Sequence, residues 1–186
     1  KPGVFRTEND FMGYVLKGVG EEYDLDFLTR HLKEGTIPSF SSQEISNHIL
    51  ISREIASKLN LGVGDKVDSY FLQGTLRARR YMVSGIYETG FADYDRAFVF
   101  TDLKAVQTLN RWEADLVSGV EVKLTDFGKV EQMSWTLGAL LDRTEDPYGE
   151  EYLVQSVVDV NPGLFAWLDV LDMNVMVTGC SSVILD

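Results

Sequence analysis

Cysteine is almost absent from this sequence of 186 residues, which contains Cys180 and no other. A single cysteine cannot form an internal disulfide, so the sequence leaves the redox compartment open. Histidine is equally scarce: His31 and His48 are far apart and have no cysteine partners, which argues against a structural zinc site. With only 4 prolines, 45% apolar and 25% charged residues, the composition also excludes disordered, collagen-like and low-complexity proteins.

Long hydrophobic runs are missing as well. The longest charge-free stretch near the C-terminus covers residues 173–185, and Thr178 and Gly179 interrupt it. A membrane-spanning helix needs about 20 predominantly apolar residues, so this stretch is too short. The chain opens at Lys1 on a polar segment rather than on a secretory signal. We therefore expect a chain that is soluble as it stands and that is a piece of something longer.

Positively charged residues are fewer than negatively charged ones. Lys and Arg number 17 against 29 Asp and Glu, which gives a net charge of −12 and a pI near 4.6. So acidic a surface repels phosphate backbones and anionic lipid headgroups, and nucleic acid is not an expected partner.

The pattern of apolar residues predicts strands and helices in mixed order, without an internal repeat. The length fits one compact domain or two small subdomains. Strands are predicted over residues 12–18, 48–51, 66–72, 79–87, 96–100, 117–124 and 152–158. Helices are predicted over 25–34 (with Gly35 as C-cap), after Ser52, after Asp102, over 130–141, and after Asn161. The remaining stretches are expected to be loops or turns: 36–47, 61–65, 73–78, 88–95 and 144–151.

The glycine-containing segment LGVGD at residues 61–65 invites comparison with a phosphate-binding loop. It follows a predicted helix and precedes a predicted strand, whereas phosphate loops follow a strand and open a helix. A structural turn is the better interpretation. No serine lies in a G-x-S-x-G elbow, and Cys180 has no nearby base. The sequence therefore carries no enzyme signature.

A second candidate site combines acidic and aromatic residues. Glu88, Asp93 and Asp95 lie close together in sequence, interleaved with Tyr87, Phe91 and Tyr94. Paired carboxylates can transfer protons and three can hold calcium, but the calcium-loop pattern with its central glycine and distal glutamate is missing. An exposed loop of this composition suits a protein contact better than chemistry.

The third candidate is basic. Arg77, Arg79 and Arg80 lie together near the end of the predicted hairpin. They either protect a strand edge as solvated charges or contact an acidic partner, and the sequence leaves both interpretations open.

Several segments in order resemble one known family: ILISREIASKLNLGVGDKV, RRYMVSGIYETGFADYDRAFVF, DLKAVQTLNRW, VSGVEVKLTDF and NPGLFAWLDVLDMN. They are similar to the large periplasmic domain of lipoprotein-releasing (LolC/LolE-type) ABC transporter permeases, within the wider MacB/FtsX-like class. The resemblance covers residues 1–174, and the helix–LGVGD–strand stretch with SGIYETG is its most specific part.

The resemblance implies an α+β fold, the MacB-like periplasmic core domain. Its α/β Porter-like subdomain would combine residues 1–46 and 116–175, and its strand-rich Sabre-like insertion would cover 47–115. Relatives have further periplasmic sequence before the region matching KPGVFRTEND, so the first Porter-like elements are expected to be missing. The tail at 176–186 is unassigned.

The resemblance also implies a function: a non-enzymatic domain without cofactor or metal, facing the periplasm from a Gram-negative inner-membrane protein. Its partners would be a separate cytoplasmic ABC ATPase, a second permease subunit, and lipoprotein cargo or a periplasmic lipoprotein chaperone. In the chaperone-recruiting relatives a protruding hairpin hooks the chaperone. The matching stretch here, LQGTLRARR at 72–80, is basic, short and without proline.

Contact candidates are Arg77, Arg79 and Arg80, together with Tyr87, Glu88, Phe91 and Tyr94. Two alternatives remain. One is a motion-transmitting module of a MacB-type exporter, and the other is a small metal-binding or enzymatic α+β domain that uses Glu88, Asp93 and Asp95.

Overall fold

The computed structural model describes residues 1–8, 10–40, 45–73, 75–146, 149–163 and 165. The chain divides into two compact units, Lys1–Gly119 and Val120–Asp186. No helix in these described stretches is long and apolar enough to cross a membrane.

The described residues of the first unit form seven strands and four helices. The strands are β1 (Pro2–Arg6), β2 (Phe11–Val19), β3 (Leu32–Gly35), β4 (His48–Ser52), β5 (Lys66–Gln73), β6 (Thr75–Tyr87) and β7 (Phe98–Asp102). The helices are α1 (Asp26–His31), α2 (Arg53–Leu59), α3 (Ala92–Ala97) and α4 (Leu103–Asn110).

Six of the strands form a closed ring. Their order is β6-β4-β7-β2-β1-β5, and β5 pairs again with β6. β3 is joined to the C-terminal half of β6, beside the ring. The β2–β7 and β4–β6 pairs are parallel, and the other pairs are antiparallel. The long strand β6 closes the ring because residues 75–82 pair with β5 and residues 82–87 pair with β4.

One face of this sheet carries the main buried core. Its core includes Phe5, Tyr14, Ile51, Phe71 and Tyr81, and α2 and α4 add Ile55, Leu59, Val106 and Leu109. The rings of Phe5 and Tyr14 stack with their centroids 3.9 Å apart, and the Tyr14 hydroxyl hydrogen-bonds the Ser69 hydroxyl. Burial of such side chains is the main source of stability of a small domain.

The opposite face is covered over only part of its width. A second cluster there joins Val19, Leu28, Phe40, Leu50, Tyr87 and Phe100 from β2, α1, the segment after β3, β4, β6 and β7. Toward β1, β5 and the N-terminal half of β6 this face carries exposed apolar side chains. We call that uncovered part the outer face.

Local signals in the sequence are confirmed where caps and turns decide the structure. Ser52 caps α2 by accepting from the Ile55 N–H at 3.1 Å, and Asp102 caps α4 by accepting from the Lys104 N–H at 2.8 Å. The LGVGD segment is a turn in which Gly64 has φ +92°. The β5–β6 hairpin is present as predicted.

Three predictions for the first unit are wrong. The first helix ends at His31, and Leu32–Gly35 is a strand because its backbone pairs with residues 85–87 of β6. The predicted turn at 73–78 is shorter, since β6 begins at Thr75 and cross-strand pairing continues to the hairpin end. The predicted loop at 88–95 contains the start of α3, which packs against α2.

In the second unit, α5 (Val130–Leu141) confirms the predicted helix, and α6 (Val157–Val160) begins at a capping box formed by Ser156 and Asp159. The strands predicted at 117–124 and 152–158 are wrong. Alternation makes one side of a segment apolar, but a strand also needs a paired backbone, and the described residues provide no such ladder there. Most of the helix predicted after Asn161, and the tail at 176–186, lie outside the described residues.

The mixed fold with its strand-rich sheet agrees with the predicted α+β class. β1, β2 and β3, from residues 1–46, lie in one sheet with strands from residues 47–115. The assignment of 1–46 with 116–175 to a Porter-like subdomain and of 47–115 to a Sabre-like one stays a prediction.

Candidate interaction site

The end of the β5–β6 hairpin carries two exposed apolar side chains. Leu72 and Leu76 are directly opposite each other across β5 and β6, so their side chains share a face. They are 78% and 66% exposed. Neighbouring pairs on that side are Tyr70 with Ala78 and Asp68 with Arg80. We call Leu72 and Leu76 the hairpin tip.

The apolar surface continues from the hairpin across β1 and β2. Val4 is opposite Tyr70 of β5, and Phe11 of β2 is opposite Arg6 of β1. Val4 is partly exposed and Phe11 is 77% exposed. Scattered surface leucines are ordinary, but a contiguous group of apolar side chains on one sheet face indicates an interaction surface.

Three charged residues lie on the same face as these apolar side chains. Arg6, Asp68 and Arg80 are neighbours across three strands. Arg80 donates two hydrogen bonds to the Asp68 carboxylate, from Nε at 2.6 Å and from Nη2 at 2.9 Å. The hydrogen bonds from Arg80 hold the pKa of Asp68 below its ordinary value, and the same bonds raise the pKa of Arg80. The bidentate geometry fixes the guanidinium in one orientation.

This pair predicts a measurable titration. We expect the Asp68 carboxyl to titrate below its ordinary pKa of 3.8, and to return toward that value in Arg80→Gln. Because the pKa is lowered by folding, the pair stabilises the fold above 3.8 and loses that contribution as the pH falls through the folded-state pKa. Carboxyl ¹³C chemical shifts, followed through an acid titration from neutral pH, would measure it. An identical Asp68 midpoint in both proteins would contradict the expectation.

The three arginines predicted as one cluster are divided between the two faces of β6. Arg77 is opposite the buried Phe71, and its Nη1 donates to the Leu109 carbonyl at the end of α4. Arg79 lies on the same face and donates to the Ala78 carbonyl at 3.0 Å, while Arg80 is on the outer face. Arg77 therefore caps a helix inside the fold, and Arg79 and Arg80 are the exposed members.

The acidic and aromatic residues after β6 are also used differently from one another. Tyr87 is fully buried and its hydroxyl donates to the Phe98 carbonyl at 2.8 Å, and burial raises its pKa. A buried side chain cannot contact a partner, so Tyr87 is a core residue. Tyr94 packs on Phe98 with ring centroids 4.8 Å apart, and Phe91 is exposed.

Two carboxylates of this segment, those of Glu88 and Asp95, already have partners within the fold. Glu88 forms ion pairs with Lys33 at 3.8 Å and with Arg53 at 3.6 Å. Asp95 is buried and accepts hydrogen bonds from the Thr89 N–H, the Thr89 hydroxyl and the Gly90 N–H. Within the described part of the chain, no group of three or more His, Cys, Asp or Glu side chains is placed to hold a metal ion.

A solved structure has a fold similar to that of this chain. The solved extracellular domain of the noncanonic ABC-type transporter YknZ from Gram-positive bacteria has a similar fold, with a TM-score of 0.51. The alignment covers 75% of this chain and 71% of that one at 17% identity. The chain therefore shares the fold of that extracellular domain.

Sequence relatives then narrow the assignment. The lipoprotein-releasing system transmembrane protein LolC of Xylella fastidiosa strain Temecula1 is 30% identical over 144 residues, 72% of this chain and 33% of the relative. LolC of strain 9a5c is 31% identical over 122 residues, 61% of this chain and 29% of the relative. No family model matches the chain. Sequence and fold together support a LolC/MacB-like periplasmic domain, as the sequence predicts, although the chain spans only about a third of these relatives' length.

The sequence analysis selected charged and aromatic residues as contact candidates and missed the exposed aliphatic side chains of the hairpin tip and of β1, and Phe11 of β2. Val4, Phe11, Leu72 and Leu76 carried a weak signal, because each lies at an alternating position in a strand. Which of the two alternating sets faces solvent depends on what covers the sheet, and that is a tertiary property.

Proposed function

We propose that this chain is the periplasmic domain of an ABC transporter permease of the lipoprotein-releasing type, held at the inner membrane of a Gram-negative cell. It performs no bond chemistry itself. A separate cytoplasmic ATPase and a second permease subunit complete the transporter. The similarity to LolC over 144 residues and the fold shared with an ABC-type transporter domain support this proposal.

The contact surface in this proposal is the outer face with the hairpin tip at its end, and its partner is a periplasmic lipoprotein chaperone or the lipoprotein itself. The observation that carries it is the exposure of Leu72 and Leu76 as a cross-strand pair. Arg79 and Arg80 flank the pair on the two faces of β6. Desolvation of a central apolar pair inside a polar rim is the usual energetic arrangement of a protein contact. Glu88, Phe91 and Tyr94 remain weaker candidates for a partner contact, on a different part of the surface.

The mechanism in this proposal is conformational. A partner that binds one state of the domain more tightly than another shifts the population toward that state, by no more than its difference in affinity. The ATPase cycle would supply the alternation between states through the membrane part of the permease. The hairpin and the ring then move as one body, because β4, β7, β2 and β1 link β6 back to β5.

The test is direct binding of a purified lipoprotein chaperone to the immobilised domain. We expect Leu72→Asp/Leu76→Asp to weaken binding at least about tenfold, since both charges would have to be desolvated at the contact. Leu153→Asp is the matched control, because Leu153 is as exposed as Leu72 but lies in the second unit. It should bind like the original protein.

Two further outcomes complete this experiment. Arg79→Glu/Arg80→Glu should slow association more than it speeds dissociation if these arginines steer an acidic partner. Equal binding by the original domain and the Leu72→Asp/Leu76→Asp variant would remove the hairpin tip from the proposal. Absence of any chaperone binding would instead favour the motion-transmitting module of a MacB-type exporter.

A further inference from the structure

A wide groove lies beside the hairpin, at the end of β5 and β6 away from the tip. Its volume is about 740 Å³, and nine residues line it: Ser39, Ile45, Ser46, Asn47, His48, Lys66, Arg80, Tyr81 and Met82. Lys66, Met82 and His48 are brought together by register, because Lys66 is opposite Met82 across the hairpin and His48 is opposite Met82 in the parallel β4–β6 pair.

The lining is basic although the chain is acidic. Three of the nine side chains are Lys66, Arg80 and His48, and none of the nine is Asp or Glu. The whole chain carries a net charge of −12, so the basic character of the described lining residues is a local departure from the average of the chain. A concave surface lined by charge of one sign concentrates ions of the opposite sign.

Three side chains of the groove, Lys66, Arg80 and Ser46, have hydrogen-bond donors available to a ligand. The Lys66 ammonium has no ion pair or hydrogen bond with any other residue that the structure describes. Arg80 uses two of its five N–H donors on Asp68, which leaves three and holds the guanidinium plane in place. The hydroxyl of Ser46 accepts from the His48 backbone N–H at 3.2 Å, so its own proton remains free to be donated.

We propose that this groove binds a phosphate monoester or phosphodiester group, with Lys66 and Arg80 as its charged ligands and Ser46 and Asn47 as neutral donors. The planar guanidinium and the mobile ammonium are the two cations that proteins use for phosphate. Ile45 and Met82 give the groove an apolar wall for the carbon chain of an ester. The same chemistry fits a soluble phosphate ester and an anionic phospholipid headgroup.

The experiment titrates the intact 186-residue chain with hexyl phosphate and, separately, with phosphatidylglycerol vesicles, and follows backbone amide shifts by NMR at low ionic strength. We expect saturable shifts at Asn47, Lys66 and Met82 with a millimolar Kd for the soluble ester, about the strength of a few charge-assisted hydrogen bonds at an open site. Lys66→Ala should weaken binding at least about fivefold.

Lys58→Ala is the matched control for Lys66→Ala. Lys58 is an exposed lysine of α2 outside the groove, so its removal changes the net charge of the chain equally. It should alter the Kd less than about twofold, because an exposed charge outside the groove is screened. A third variant, Asp68→Asn, should strengthen binding, because it removes the carboxylate beside Arg80 and releases two more N–H donors.

The possible results distinguish a soluble ester, a lipid headgroup and diffuse electrostatics. Binding of hexyl phosphate that depends on Lys66 assigns the groove to a soluble ester, and binding confined to the vesicles with the same dependence assigns it to a lipid headgroup. Equal weakening by Lys66→Ala and Lys58→Ala would reduce the effect to diffuse electrostatics and overturn the proposal. So would the absence of saturable shifts with both the ester, up to about 20 mM, and the vesicles. Arg80 takes part in both proposals, so the two are separated by Lys66→Ala, which tests the groove, and Leu72→Asp/Leu76→Asp, which tests the hairpin tip.

Discussion

Asp95→Ala is expected to lower the free energy of unfolding by about 3 kcal/mol, because the substitution leaves buried donors without an acceptor. The Asp95 side chain is only 6% exposed. It accepts from the Thr89 N–H at 3.1 Å, from the Thr89 hydroxyl at 2.8 Å and from the Gly90 N–H at 3.2 Å. These bonds fix the path of the chain between β6 and α3. Urea unfolding at neutral pH, followed by far-UV circular dichroism, would measure the change.

Asp93→Ala is the control for this substitution, since Asp93 is exposed on the same helix. Its cost should stay within about 0.5 kcal/mol, as for most surface substitutions. Thr89→Val removes the hydroxyl's bond to Asp95 and the exposed bond from the Phe91 N–H to the same hydroxyl, and it should cost about 1 kcal/mol. If Asp95→Ala and Asp93→Ala unfold at the same urea concentration, the carboxylate of Asp95 is not what holds this turn.

Gly35→Ala is the second large effect, expected to cost about 3 kcal/mol and to loosen β3 from β6. Gly35 has φ +74°, a conformation that residues with a Cβ adopt at a cost. A Cβ built there would be 2.2 Å from the Ser84 carbonyl oxygen and 2.9 Å from the Gly85 Cα. Both are backbone atoms of the paired strand, so neither can rotate away as a side chain does.

Gly64→Ala separates the two causes of that cost. Gly64 has φ +92°, but a Cβ added there would meet no atom within 4 Å. The variant should lose only the conformational cost of a left-handed residue, about 1 kcal/mol. Hydrogen exchange of the Thr36 amide, which donates to the Ser84 carbonyl, would report whether β3 has separated from β6. Equal losses at Gly35 and Gly64 would show that backbone conformation alone is responsible.

The sequence predicts elements well where the deciding interaction is local. Ser52 and Asp102 cap the helices that follow them, and the turn at 61–65 is set by glycine. The prediction fails where pairing with a strand distant in sequence determines the local structure. Leu32 continues the helical spacing of Leu25 and Leu28, yet residues 32–35 are extended because β6 offers them a ladder. Residues 117–124 show the opposite case. Their apolar residues alternate as in a strand, but no strand among the described residues pairs with them.

The candidate surface shows the same limit at the level of single side chains. Arg77, Arg79 and Arg80 are neighbours in sequence, but alternation along β6 sends Arg77 and Arg79 to the face that carries Phe71 and Tyr81. The sequence does not predict which arginine forms a hydrogen bond within the fold, because the acceptor for Arg77 is the carbonyl of Leu109, 32 positions away. Similarly, the burial of Tyr87 follows from α3 and β7 rather than from its own segment.

The closed ring of strands also has a consequence for biosynthesis. β1 has its second neighbour in β5, through Val4 and Tyr70, and β2 has its second neighbour in β7, through Val15 and Phe98. A chain made from its N-terminus therefore presents β1 and β2 as a hairpin long before either neighbour has been synthesised. Their outward backbone groups and the apolar side chains of Phe5, Tyr14 and Leu16 remain uncovered during that interval. Because long-range pairings form slowly and late, the nascent domain is most exposed to aggregation until residue 102 has been synthesised and the ring can close.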